Sequence, residues 1–115
     1  MEKFLYLFRG GQTTDHNSSP EAMQAQMQKW MQWMEKLSKS GTMIGGEPLQ
    51  PGGKQVNGKK KVVTDGPFVE AKETVGGYLL IQAKDINDAV EISKTCPIFD
   101  VDGKVEIRPL QKMEM

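Results

Sequence analysis

Apolar side chains recur along this chain with two different periods, and the places where the period changes mark its elements. Phe4-Leu5-Tyr6-Leu7-Phe8 is a short aromatic-rich run stopped by Arg9-Gly10-Gly11, which predicts a strand. Phe4, Tyr6 and Phe8 fall on one face of it and Leu5 and Leu7 on the other, so both faces need cover. Residues 12–19 are polar and turn-rich and predict a loop. At Ser19-Pro20 the pattern turns helical, with Ser19 as N-cap and Pro20 in the first turn; Ser18 and Glu21 offer an alternative capping box. Met23, Met27, Trp30, Met31, Met34 and Leu37 follow at spacings of three and four and define one apolar stripe, with Trp33 at its margin. Lys36 and Lys39 occupy the last turns, and Gly41 is placed to end the helix.

Thr42-Met43-Ile44 predicts a short strand that breaks at Gly45-Gly46. Asn57-Gly58 is a hairpin signal, with Lys61-Val62-Val63-Thr64 as the returning strand. Asp65-Gly66-Pro67-Phe68 opens a loop running to about Val75. Gly77-Tyr78-Leu79-Leu80-Ile81-Gln82-Ala83 predicts a second central strand, again apolar on both faces. Asp85 caps a second helix whose inner face is Ile86, Ala89, Val90 and Ile92, closed by Cys96-Pro97. After a turn at Val101-Asp102-Gly103-Lys104, alternating residues through Arg108 predict a last strand, and the tail from Gln111 frays.

The order is β-α-β, a hairpin insertion, then β-α-β, the split pattern of a ferredoxin-like sheet in a single α+β domain over residues 1–115. Two helices cover only one face of a sheet, yet both central strands are apolar on two. A second copy packing its own sheet about 10 Å away is the expected cover, which predicts a homodimer. The alternative is that loop 66–75 or the tail covers that face.

Composition narrows the partners. Apolar residues are 37% of the chain, and 15 basic residues balance 15 acidic ones. That balance argues against nucleic acid or a membrane surface as the main partner, since both call for a basic excess. Lys59-Lys60-Lys61 reads as a solvated turn and an edge guard. The one cysteine, Cys96, forms no internal disulfide and reads as a packed small residue. The N-terminal apolar run of five residues is too short for a signal-peptide core or a span, which makes the cytoplasm the expected location. One His and one Cys without ligand spacing predict no metal, and no cofactor is expected.

Val63-Thr64-Asp65-Gly66-Pro67-Phe68-Val69-Glu70-Ala71-Lys72-Glu73, followed by Gly76-Gly77-Tyr78, resembles the signature of the YCII-related family in its DGPF branch. Phe8-Arg9-Gly10, Ser19-Pro20-Glu21, Gly45-Gly46, Cys96-Pro97 and Val105-Glu106-Ile107-Arg108-Pro109 agree in order, so the likeness covers nearly the whole chain. The resemblance implies a dimeric α+β barrel of bacterial origin. It also implies a genomic link to extracytoplasmic-function sigma factors, and hence such a factor as a candidate partner by analogy alone. Related members pair a His with an Asp in a cleft; here the single His16 lies in the first loop and Cys96 stands before Pro97, a departure from that pattern.

Asp65 is the leading candidate for chemistry. It precedes a Gly-Pro turn that fixes its direction, and if enclosed it serves as an acid/base; the alternative is an Asx hydrogen bond that caps the turn. His16 is a second catalytic candidate by its titration range, against a solvated loop position. Arg9, at a strand end, is the candidate anion binder, against an ion pair with Asp65, Glu73 or Glu106. Lys72, Glu73, Phe68 and Tyr78 complete the candidate substrate-binding set. The expected ligand is a small anionic or carbonyl-bearing metabolite, and the expected role is either a cofactor-independent enzyme or a non-catalytic binding or regulatory module.

Overall fold

A computed structural model describes residues 1–10, 19–50, 52–65 and 75–112. Strand β1 is Glu2–Gly10, helix α1 Pro20–Lys39 and strand β2 Met43–Pro48. The ribbon β3 (Lys54–Asn57) and β4 (Val62–Asp65) comes next, then β5 (Val75–Ala83), α2 (Ile86–Ser93), a 3₁₀ turn at Pro97–Val101, and β6 (Gly103–Pro109). Among the described residues, four strands form an antiparallel sheet in the order β2-β5-β1-β6, while β3 and β4 pair only with each other. This corrects the fold expectation. The chain is α+β with two separate sheets, and the strands are not closed into a barrel: β2 and β6 are the two edges of an open sheet.

Alternation along the central strands sorts side chains by face. Phe4, Tyr6 and Phe8 of β1 and Leu79, Ile81 and Ala83 of β5 are buried beneath Trp33, Leu37, Ala89, Cys96 and Ile98. Tyr6, fully buried, donates its hydroxyl to the Ala89 carbonyl at 2.5 Å and so ties β1 to α2. Burial raises the Tyr6 phenol well above its usual range, with the charge of Asp88 adding to the effect. Burial likewise pushes the Cys96 thiol up to about 12, which makes it a packing group and not a nucleophile.

Both helices begin and end on recognisable chemistry. Ser19 Oγ accepts from Ala22 N at 3.1 Å, and Asp85 Oδ1 accepts from Asp88 N at 2.8 Å. Gly41, with φ at +76°, lets Thr42 N reach Leu37 O at 2.9 Å and Gly41 N reach Ser38 O at 3.1 Å, the 6→1 and 5→2 bonds of a Schellman ending.

The face that α1 buries differs from the stripe expected above. Trp33 and Leu37 are buried and Trp30 and Met34 pack beside them, whereas Met23, Met27 and Met31 are exposed. The aromatic rings account for the rotation. Phe8, Trp30 and Trp33 meet edge to face at centroid separations of 5.0–6.2 Å, and Trp33 Nε1 donates to Thr95 Oγ1 at 2.8 Å. On α2, Ala89 is buried and Ile92 packs on the core, but Ile86 in the first turn is exposed. Gly45-Gly46 do not break β2: the strand runs on to Pro48 as an edge, with a register shift between Met43 and Gly45. Pro48 is tolerated there because an edge strand leaves its N–H side unpaired.

Candidate functional site

Both helices lie on the face holding Phe4, Tyr6 and Phe8, and the opposite face of the sheet carries the other alternate residues. Register places them in rungs. Glu47, Tyr78, Leu7 and Glu106 form one rung across all four strands, and Gly45, Leu80, Leu5 and Arg108 form the next. Arg9 follows on β1, with Val75 and Lys104 as its neighbours. Leu5, Leu7, Tyr78 and Leu80 thus make an apolar floor, and each is only half-buried. Charged side chains fringe it on both edge strands.

On the β6 side the charges are coupled. Arg9 Nε donates to Glu106 Oε1 at 3.0 Å, and Arg108 Nη1 donates to Glu106 Oε2 at 3.3 Å, so one carboxylate sits between two guanidinium groups. Hydrogen bonds from Arg108 and then Arg9 hold the Glu106 carboxyl below its ordinary value of 4.5. A carboxylate whose pKa is depressed on folding stabilises the native state above its unfolded pKa, and that contribution is lost as pH falls through the lower native value. Carbon-detected NMR titration is expected to give Glu106 a pKa below 4.5 in the native chain, rising toward 4.5 in Arg9→Met. An unchanged titration in that variant would show that Arg9 does not hold it. Glu106 is a poor proton acceptor at neutral pH, and the triad is suited to holding charge in place.

The residues named from sequence divide into three groups. Arg9 and Tyr78 share the outer face, on neighbouring strands. Of the three carboxylates expected as partners of Arg9, Glu106 pairs with it across the β1–β6 register, Asp65 stands on the separate ribbon, and Glu73 lies outside the described residues. Asp65 ends β4 on the separate ribbon, where its side chain is 88% exposed and accepts from Lys54 Nζ at 2.6 Å. The acid/base role needs enclosure, and among the described residues nothing encloses Asp65. His16, Phe68, Lys72 and Glu73 lie outside the described residues, as does loop 66–74. Among the described residues no group of three or more His, Cys, Asp or Glu side chains converges to hold a metal ion. No helix of the described residues is long and apolar enough to cross a membrane.

Residues 6–114 match the model of the YCII-related domain. The chain belongs to the YCII-related domain family. No curated protein sequence matches it. Among solved structures, this YCII-related chain is similar to 5-chloro-2-hydroxyhydroquinone dehydrochlorinase (TftG) from Burkholderia phenoliruptrix AC1100, a structure in complex with 2,5-dihydroxybenzoquinone. The identity is 12%, the alignment covers 95% of this chain and 93% of that one, and the TM-score is 0.49.

Proposed function

We propose that this chain is a DGPF-branch member of the YCII-related family that works in the cytoplasm as a homodimer and receives a small anionic or carbonyl-bearing metabolite on the outer face of its sheet. The reading rests on one observation: an apolar floor of Leu5, Leu7, Tyr78 and Leu80 lies beside the Arg9–Glu106–Arg108 triad on the face that neither helix covers. The floor takes the carbon skeleton of the ligand, and the guanidinium of Arg9, held in direction by Glu106, takes its carboxylate or carbonyl oxygen. In the enzymatic form of this reading Asp65 moves a proton and no cofactor takes part.

The exposed pairing of Asp65 with Lys54 favours a second reading, in which the same face binds a ligand without converting it and serves a regulatory role. A sigma factor is the candidate target of such a module by family analogy alone.

A thermal-shift panel of small carboxylates, keto acids and quinones tests the ligand. A true ligand at a hundred times its Kd stabilises by about 2.7 kcal/mol, a rise of order 10 °C for a domain of this size. Arg9→Ala is expected to abolish that rise. A panel that moves nothing, or a ligand that shifts Arg9→Ala as much as wild type, defeats the reading. Proton NMR of the bound compound over time then separates the two forms: conversion that Asp65→Asn stops supports the enzyme, and binding with no conversion supports the module.

A further inference from the structure

The outer-face floor ends differently in different directions, and the difference bears on the shape of its ligand. Along β1 from Arg9 the floor runs over Leu7 and Leu5 and stops at Lys3, which pairs with Gln82 of β5. Straight across toward β2 it runs over Leu7 and Tyr78 and stops at Glu47. Obliquely it runs over Leu7, Tyr78 and Leu80 and reaches Gly45, the β2 partner of Leu80. No side chain stands there, and even a Cβ added at Gly45 would meet nothing within 4 Å. Its neighbour Gly46 pairs instead with Leu79, on the helix-covered face.

We propose that the ligand is a carboxylate with an extended apolar tail, and that the tail leaves the floor over Gly45, which makes Gly45 the residue that sets how long a tail is accepted; the proposal rests on the reading of the outer face given above. Arg9 fixes the head, so the tail must follow one of the three directions. A tail laid over Lys3 or Glu47 strips water from a charge and returns no hydrogen bond, whereas one laid over Gly45 does neither. The oblique track crosses two strand spacings of about 4.8 Å and four residue rises of about 3.4 Å, roughly 16 Å from corner to corner. A short keto acid covers only its beginning, and a medium-chain acid covers most of it. Each methylene laid on the track tightens binding by up to about fourfold.

Isothermal titration with butanoate, hexanoate, octanoate and decanoate, each below its micellar concentration, tests this on wild type, Gly45→Glu and Gly45→Ala. Gly45 has no positive φ, so both substitutions suit its backbone, and the Tm of each variant without ligand checks its fold. Wild-type affinity is expected to climb along the series. Gly45→Glu puts a carboxylate at the exit and is expected to weaken decanoate by at least about tenfold. Butanoate should stay within about twofold, because its head lies beyond the roughly 8 Å over which salt leaves such a charge unscreened. Gly45→Ala should follow wild type. In wild type alone, NOEs from the terminal methyl of decanoate should reach the Gly45 α-protons. A Gly45→Glu variant that weakens every acid alike, or none, overturns the exit and leaves the Arg9 site standing; so do methyl NOEs to Lys3 or Glu47. Acids that bind wild type and Arg9→Ala equally, or bind neither, overturn both.

Discussion

Trp33→Ala is expected to lower stability by about 3–5 kcal/mol, while Met27→Ala, six residues earlier on the same helix, should change it by less than about 0.5 kcal/mol. Trp33 is 5% exposed; Met27 is 64% exposed. Truncating Trp33 opens a cavity between α1 and β1, removes two edge-to-face ring contacts and leaves Thr95 Oγ1 without its donor. Met27 loses only solvent contacts. At a few degrees per kcal/mol, the first change lowers Tm by roughly 10–20 °C and the second leaves it in place. Paired denaturation curves with equal m-values decide the matter. Equal costs at the two positions would mean that α1 presents its methionine row, and not its tryptophans, to the sheet.

That pair of substitutions also shows where the sequence was readable. The strand and helix identities followed from period and caps: Ser19-Pro20, Asp85 and Gly41 each mark a real boundary because capping is local chemistry. The helix's rotation did not follow. Met23, Met27 and Met31 repeat at i, i+4 as cleanly as Trp30, Trp33 and Leu37, and spacing alone gives no reason to prefer either row. The choice is made by Phe8 across the interface and by Thr95, which accepts the indole N–H. Both are remote in sequence from α1. The candidate site divides in the same way. Arg9 was visible as a charge at a strand end, but its partner depended on the β1–β6 register, which hydrophobic alternation sets and no local motif encodes. Asp65 was visible as a turn carboxylate, but its exposure depended on β3 and β4 standing apart from the main sheet.

Gly46→Ala should lower stability by about 3 kcal/mol, at the upper end of what overpacking costs, and Gly45→Ala by less than about 0.5 kcal/mol. These adjacent glycines look equivalent in sequence, and the reading of Gly45-Gly46 as a strand break treats them so. In the sheet they are opposites. A Cβ on Gly45 meets nothing within 4 Å. A Cβ on Gly46 collides with the Leu79 side chain, and also stands 2.5 Å from the Tyr78 carbonyl oxygen and 2.9 Å from Leu79 Cα. The side chain could swing away; the two backbone atoms cannot, because β5 is locked between β2 and β1. Relief comes only by moving β2 off β5, and β2 is an edge strand, so it is the element that yields. Its departure would carry Glu47 away from Tyr78 and remove one border of the outer-face floor. Gly46→Ala is therefore expected to lose amide protection at Glu47 and Leu49 before the β1–β5 core is affected, and to weaken any ligand held beside Tyr78. Full protection of β2 in that variant, with Tm unchanged, would mean that the two strands do not approach as closely as their register implies.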